Sequence, residues 1–432
     1  MYKLRLSPGA DFDKVLEASS NAFKKIVEEG EDDSVRIYSY PSRDSVIAGA
    51  YIFKRLLALG LRPVVSVSVK PPPIISPTIL LGYDSVNYRA SEVSSTVLAV
   101  SSGPVRGTPV MNLYIVEAEG SCSAAISIIS SEVVGYRGSW DILVALAGSY
   151  VGRYVERNGR FHGIDRILLE DISRIETYEL EVVTTLKAYK PFEGEVCESI
   201  ARTVNPYYPK MTGDSDYCRQ VLRGEGLEDL SSRSLDSVRD RDELGRLVSV
   251  VLGHVGKYAK GLEGDDLVEE YVGGFPLSRS ASAPISDIRM GADVLTLSLE
   301  VGGLEGLVST VVDLEGEYSI AEAELESLAG GFGQVVEDAK PRRLKTIPKY
   351  RIYVVDAPQS TPLYHLWRAL VLLGLVEKDS ILAVEAGGRL RASPAQVEEA
   401  ARGLGGVRRL VESKIASLEG ASLWLDRDVL QR

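Results

Sequence analysis

The chain is poor in the residues that most often bind metals. Its 432 residues include three histidines, His162, His254 and His365, and three cysteines, Cys122, Cys197 and Cys218. Cysteines this scattered, and odd in number, argue against a zinc cluster and for a reducing compartment. Asparagine and glutamine number five each against 33 arginines; the amide depletion fits a heat-adapted source. No apolar run approaches the roughly 20 residues that span a bilayer, and the best, Leu366 to Val376, is about half that. No secretory signal opens the chain, because residues 1–12 mix polar and apolar types. A cytoplasmic protein without membrane association is expected.

Basic charge is also in short supply. The 61 acids outnumber 49 bases and leave a net charge of −12. Sequence-independent binding to duplex DNA needs a dense cationic surface. The chain is better suited to protein partners, or to nucleic acid through one local basic patch. What is present is an ordinary globular composition, 45% hydrophobic and 25% charged. The length suits two or three domains.

The first third alternates β-rich and helical runs. Strands are expected at Val35–Ser39, Pro63–Val69, Thr78–Leu81, Thr96–Val100 and Asn112–Val116, with a helix over Ser45–Leu59 stopped by Gly60. That order predicts an α/β fold with an open, mostly parallel sheet. Ligands of such sheets sit beyond the carboxyl ends of the strands, so the residues following each strand are the ones to read. Residues 140–260 read as largely helical, at Trp140–Glu156, Leu180–Leu186, Ser215–Leu222 and Asp242–Tyr258. A mixed region runs to about 340. The segment Ala339–Arg351 then carries six basic residues, two prolines and no acid, and reads as a linker. After it come a strand at Ile352–Asp356, a helix at Pro362–Leu373, a strand at Ser380–Val384 and a helix at Pro394–Gly403, a small separate α/β unit.

Four segments at strand and helix ends carry a resemblance. After the first expected strand stands Tyr40-Pro-Ser42-Arg-Asp44-Ser45. Further on come Gly82-Tyr-Asp84, Ser101-Ser102-Gly103 and Gly152-Arg153. Their order, with Ser121-Cys-Ser-Ala-Ala125, Pro206-Tyr-Tyr-Pro-Lys-Met-Thr-Gly213, Gly388-Arg-Leu-Arg-Ala-Ser393 and Gly403-Leu-Gly-Gly406, resembles the DHH superfamily of phosphoesterases and its archaeal RecJ-like group. The resemblance implies a DHH-type parallel-sheet domain over 1–200, a mostly helical inserted region over 201–340, and a smaller DHH-associated α/β domain over 341–432 that starts with the basic linker.

It also implies where a two-metal centre would lie, and this chain departs from the pattern there. Tyr40 stands for the first histidine, Ser42 for the first aspartate, and Asp44 keeps the second; Ser45 replaces a glycine. Gly82 takes the place of the next aspartate, although a register two residues on would bring Asp84 to the site. Ser101, Ser102 and Gly103 replace Asp-His-His, and Arg153 puts a cation where the last aspartate would be. One of eight ligand positions survives. Two-metal phosphoryl chemistry needs several carboxylates and imidazoles to neutralise and orient both ions. No catalytic residue, metal or cofactor is therefore expected. Asp44 reads as a helix N-cap, and the three histidines as ordinary core or surface residues.

A chain that keeps both domains and the insert but lacks the ligands resembles the archaeal counterpart of the eukaryotic replication factor that joins MCM and GINS. That resemblance implies a non-catalytic scaffold binding GINS, supporting MCM and guiding single-stranded DNA. Candidate nucleic-acid contacts are Arg342, Arg343, Lys345 and Lys349 in the basic segment, and Arg389, Arg391, Arg408 and Arg409 beyond it; each also reads as a solvated surface charge. Two alternatives remain open: a divergent metal-dependent single-strand nuclease using Asp44 and Asp84, and a module that binds a nucleotide without cleaving it.

Overall fold

Six parallel strands organise the first part of the computed structural model, which describes residues 2–9, 11–108, 110–136, 138, 139–152, 160–173, 180–235, 237, 238, 240–262, 264–278, 287–313, 315–344, 350–401, 404–426 and 430. They are β1 (Tyr2–Leu6), β2 (Val35–Ser39), β3 (Pro63–Val67), β4 (Thr78–Leu81), β6 (Val97–Ser101) and β8 (Leu113–Ala118), with two-residue strands β5 (Ser85–Val86) and β7 (Arg106–Gly107) pairing with each other outside the sheet. The order across the sheet is β1-β8-β6-β4-β2-β3. Every pair in it is parallel. The central strands β4 and β6 are buried at every residue, as a parallel sheet covered on both faces requires. The expected α/β class and parallel sheet are observed. Strand β1 and the helix after it, α1 (Phe12–Gly30), were not anticipated from the sequence.

Three more helices follow: α2 (Arg43–Ala58) packs on β2, β3 and β4, α3 (Cys122–Val134) on β6, and α4 (Ser139–Val151) on α2 and α3, before α5 (Gly163–Ser173). Small residues let them approach closely. A side chain at Gly148 of α4 would begin 2.3 Å from Ser123 Oγ of α3, and one at Gly49 of α2 would begin 2.4 Å from Ser39 Oγ of β2.

The described residues form two compact units. One contains β1 to α5 and Ile288–Val312; the other contains Val182–Pro276 and the chain from Ser319 onward. Ile288–Val312 packs on α2 and α4 of the first unit. The chain turns at Gly303, whose φ is +66°, so Ile288–Val312 is two helices folded back on each other, with Thr310 Oγ1 donating to Ser298 Oγ at 3.0 Å, and neither has the length that crosses a bilayer. Half of the segment's most apolar stretch is buried inside the unit. Its buried Arg289 pairs with Asp287 at 3.4 Å and Asp293 at 3.6 Å.

Three further expectations need correction. Leu180–Leu186 is a strand, paired with Val272–Ser278, and not a helix; its Val-Val-Thr-Thr centre favours extended backbone. The basic segment is not a free connector, since Arg342 and Arg343 form a short strand antiparallel to Arg351–Val355. It begins a six-stranded sheet that continues through Ser380–Ala386, Arg389–Ala392, Ser422–Leu425 and Ala416–Glu419. Finally, Cys197 and Cys218 form a disulfide with Cα atoms 5.5 Å apart. Sequence spacing gave no sign of it, because the turns between Val196–Ala201 and Ser215–Gly224 decide the distance. Cysteine count therefore gives no support to a reducing compartment.

The disulfide closes a 21-residue separation, for which loop entropy gives about 3 kcal/mol. Cys197→Ser is expected to lower stability by about that amount in chemical denaturation. Reductant is expected to have the same effect on the unaltered chain and none on the variant.

Candidate functional site

The strand ends bring the sequence-predicted positions together. The Tyr40 N–H donates to the Leu81 carbonyl at 2.8 Å, and the Gly82 N–H to the Val100 carbonyl at 2.8 Å. Tyr40, Gly82 and Ser101–Gly103 therefore line one edge, with α2 starting beside them. Arg153 lies outside the described residues.

Each position is used for packing or capping. The Tyr40 ring meets Tyr83 edge-on, centroids 6.0 Å apart, and packs on an apolar cluster that includes Leu80 and Tyr88. Ser42 is the N-cap of α2: its Oγ accepts from the Ser45 N–H at 3.4 Å and donates to Ser45 Oγ at 2.7 Å. Gly82 has φ +79°, and a side chain there would begin 1.9 Å from Ser45 Oγ. Ser45 thus occupies the space in which a longer residue at 82 would point. Ser101 is buried, and the Cys122 thiol donates to the Val100 carbonyl at 3.6 Å, with burial pushing its pKa well up. Gly82, rather than Asp84, faces the site: Asp84 is exposed, and its carbonyl accepts from the Arg106 N–H at 2.9 Å.

Asp44 is not the cap of its own helix, which corrects the sequence expectation. Its buried carboxylate reaches across to the start of α3 and accepts from the Cys122 N–H at 2.7 Å, the Ser123 N–H at 3.1 Å and the Ser123 hydroxyl at 2.5 Å. A second buried carboxylate, Asp165 of α5, accepts from the Ser121 N–H at 2.8 Å and the Ser121 hydroxyl at 2.5 Å. Ser121 Oγ also accepts from the Ala124 N–H at 3.0 Å. The first four amides of α3, which a helix cannot satisfy internally, are thereby all bonded to side chains. Burial raises the pKa of Asp44, with the bonds from Ser123 and Cys122 opposing it. Burial likewise pushes Asp165 up to about 6, against the bonds from Ser121 and Ser149. Asp165 carries no local sequence signal, since only the tertiary packing of α5 brings it to α3.

The donor set does not fit a pair of metal ions. Phenol, hydroxyls and glycine stand at the described ligand positions, and the surviving carboxylate is already bonded to three donors. Among the described residues, no group of three or more His, Cys, Asp and Glu side chains is arranged to hold an ion. His254 is buried with Nε2 3.2 Å from the Pro209 carbonyl, His365 is buried in the helix Leu363–Leu372, and His162 is exposed.

The basic candidates are dispersed over the C-terminal sheet and its helices. Arg342 and Arg343 are exposed, with Arg343 3.9 Å from Glu377. Arg389 pairs with Glu419 at 2.7 Å, and Arg408 with Glu412 at 3.2 Å. Arg391 donates to the carbonyls of Gln359 at 2.6 Å and Thr361 at 3.3 Å, a structural tie. Arg409 is exposed. Lys345 and Lys349 lie outside the described residues.

The raised pKa of Asp165 fixes the sign of a pH effect. The folded state binds the proton more tightly than the unfolded state, so this group's contribution is fully present below pH about 4 and is lost as pH rises through about 6. Relative to Asp165→Asn, the unaltered chain is expected to lose roughly 3 kcal/mol between pH 4 and 7, measured by denaturant titration at each pH. Parallel pH profiles for the two proteins would contradict this.

No protein-family model matches the chain, and no curated protein matches it. Solved structures do. CDC45 from Entamoeba histolytica aligns over 99% of this chain and 97% of its own, at 10% identity and a TM-score of 0.55. RecJ from Thermus thermophilus, in complex with Mn2+, aligns over 96% of this chain and 52% of its own, at 11% identity and a TM-score of 0.39. An exonuclease RecJ bound to manganese aligns over 96% and 91%, at 12% identity and the same TM-score. The RecJ superpositions are too loose to carry an argument, so the assignment rests on the first. From end to end, the chain has a CDC45-like fold.

Proposed function

We propose that this chain is a non-catalytic scaffold of a replicative helicase in an archaeal, heat-adapted cell, acting in the cytoplasm. It binds GINS, through it supports the MCM motor, and contacts single-stranded DNA. One observation carries the non-catalytic part. The residues gathered at the ends of β2, β4 and β6 are Tyr40, Ser42, Gly82, Ser101 and Ser102, and the remaining carboxylate, Asp44, is bonded to the start of α3. An enzyme of the resembled class needs ionised ligands facing a crevice; here the corresponding groups are neutral or turned to the protein. The CDC45-like fold over nearly the whole chain supports the replication reading, and the negative net charge suits protein partners.

The purified chain is expected to co-elute with archaeal GINS subunits in size exclusion and to release no nucleotide from single-stranded DNA in the presence of manganese. Separate elution of folded components would overturn the scaffold reading. Manganese-dependent release abolished by Asp44→Ala would establish the nuclease instead.

A further inference from the structure

Nine large apolar side chains are exposed among the described residues, and four of them stand at the amino-terminal edge of the first sheet. Met111 lies two residues before β8 and is 80% exposed; Ile75 lies three residues before β4 and is 74% exposed. Leu57 and Leu59 close α2 just before β3. Hydrogen bonds stitch the entry turns into one row. The Val97 N–H donates to the Asn112 carbonyl at 2.9 Å, the Thr78 N–H to the Thr96 carbonyl at 3.0 Å, and the Arg36 N–H to the Pro77 carbonyl at 2.9 Å. At its far end, a side chain on Gly30 would begin 3.7 Å from Leu61 Cδ1. From β8 to β3 the row crosses neighbouring strands over about 19 Å at the usual strand spacing.

Among these apolar groups, the turn from α1 into β2 carries Glu28, Glu29, Glu31, Asp32 and Asp33, all exposed. Glu28 lies 3.9 Å from Lys24, Glu29 accepts from the Thr96 N–H at 2.9 Å, and Asp33 from the Ser34 N–H at 2.7 Å. Glu31 and Asp32 enter no ion pair among the described residues. The sole base within 28–34, 59–62, 74–77, 94–96 and 110–112 is Arg62.

We propose that this edge docks a partner protein through a segment that is basic and carries apolar side chains. Single exposed apolar residues are ordinary, but a row of them rimmed by charge marks a protein interface. The charge selects the occupant. Glu31 and Asp32 repel nucleic acid and anionic membrane surfaces. A second copy meeting this edge about a two-fold axis would set the same acids against each other. Lysines or arginines on the partner would meet Glu31 and Asp32, while its apolar side chains cover Leu57, Leu59 and Ile75. The edge lies at the opposite end of the strands from Tyr40 and Gly82, so the inference goes beyond the scaffold reading and stands without GINS.

The test uses the full chain and a short fluorescein-labelled peptide of leucine and lysine in amphipathic order, read by anisotropy at low salt. A peptide with serine for every leucine serves as its control. The leucine peptide is expected to bind, more weakly as salt rises, and the serine peptide several-fold less tightly. Ile75→Ser with Leu59→Ser, and Glu31→Lys with Asp32→Lys, are each expected to weaken binding roughly tenfold. These side chains are exposed, and an unchanged thermal transition would check that the variants fold. Glu225 and Glu324 are exposed in the other unit; their joint reversal to lysine makes the same change in net charge and is expected to leave affinity within about twofold. Absence of binding, equal affinity for the serine peptide, undiminished binding by either edge variant, or an equal loss in the distant pair would each overturn the proposal. So would a dimer in sedimentation that Ile75→Ser dissolves, since it would give the edge to a second copy. GINS co-elution is scored separately, so the two failures are distinguishable.

Discussion

The start of α3 is the point on which the first unit depends. Four amide donors there lack partners within the helix, and they sit at the carboxyl edge of a buried sheet. Asp44 from α2 takes two of them, Asp165 from α5 takes one, and the Ser121 hydroxyl takes the last. Carboxylate oxygens complement the amides of a helix N-terminus, while burial opposes the ionisation of both groups. Three helices distant in sequence are thereby fixed to one another and to the strand ends.

The same arrangement engages the described polar groups at the strand ends. Both oxygens of Asp44 accept from donors at the start of α3, the Cys122 and Ser123 amides and the Ser123 hydroxyl. Around it, Ser42 and Ser45 bond to each other, and Gly82 admits Ser45 into the space a ligand side chain would need. Short polar side chains keep the buried edge hydrogen-bonded without charge, which is what burial demands. The architecture rests on parallel strands and close helix packing.

Much of the sheet was legible from the sequence. β2, β3, β4, β6 and β8 follow from short β-rich runs at regular spacing, and the class follows from their alternation with helices. The identity of the residues after the strands was also legible. Local pattern failed where a partner far along the chain made the decision. Leu180–Leu186 becomes a strand through pairing with Val272–Ser278. Arg342 and Arg343 become an edge strand through Arg351–Val355. Ile288–Val312, broken by charges in sequence, becomes two helices that turn at Gly303 and pack in the first unit, with Arg289 paired to Asp287 and Asp293.

The sequence by itself determined the composition of the strand-end site, since side-chain chemistry does not depend on the fold. Serine, glycine and tyrosine cannot neutralise two metal ions wherever they are placed. Tertiary structure alone decided what the remaining charges do. Asp44 was expected to cap its own helix and instead caps a neighbour. Asp165 had no visible role until α5 carried it beside Ser121. Arg389 meets Glu419 only because pairing across three strands brings them together. Each outcome depends on a distance between residues far apart in the chain, and such distances are set by packing, which local pattern does not encode.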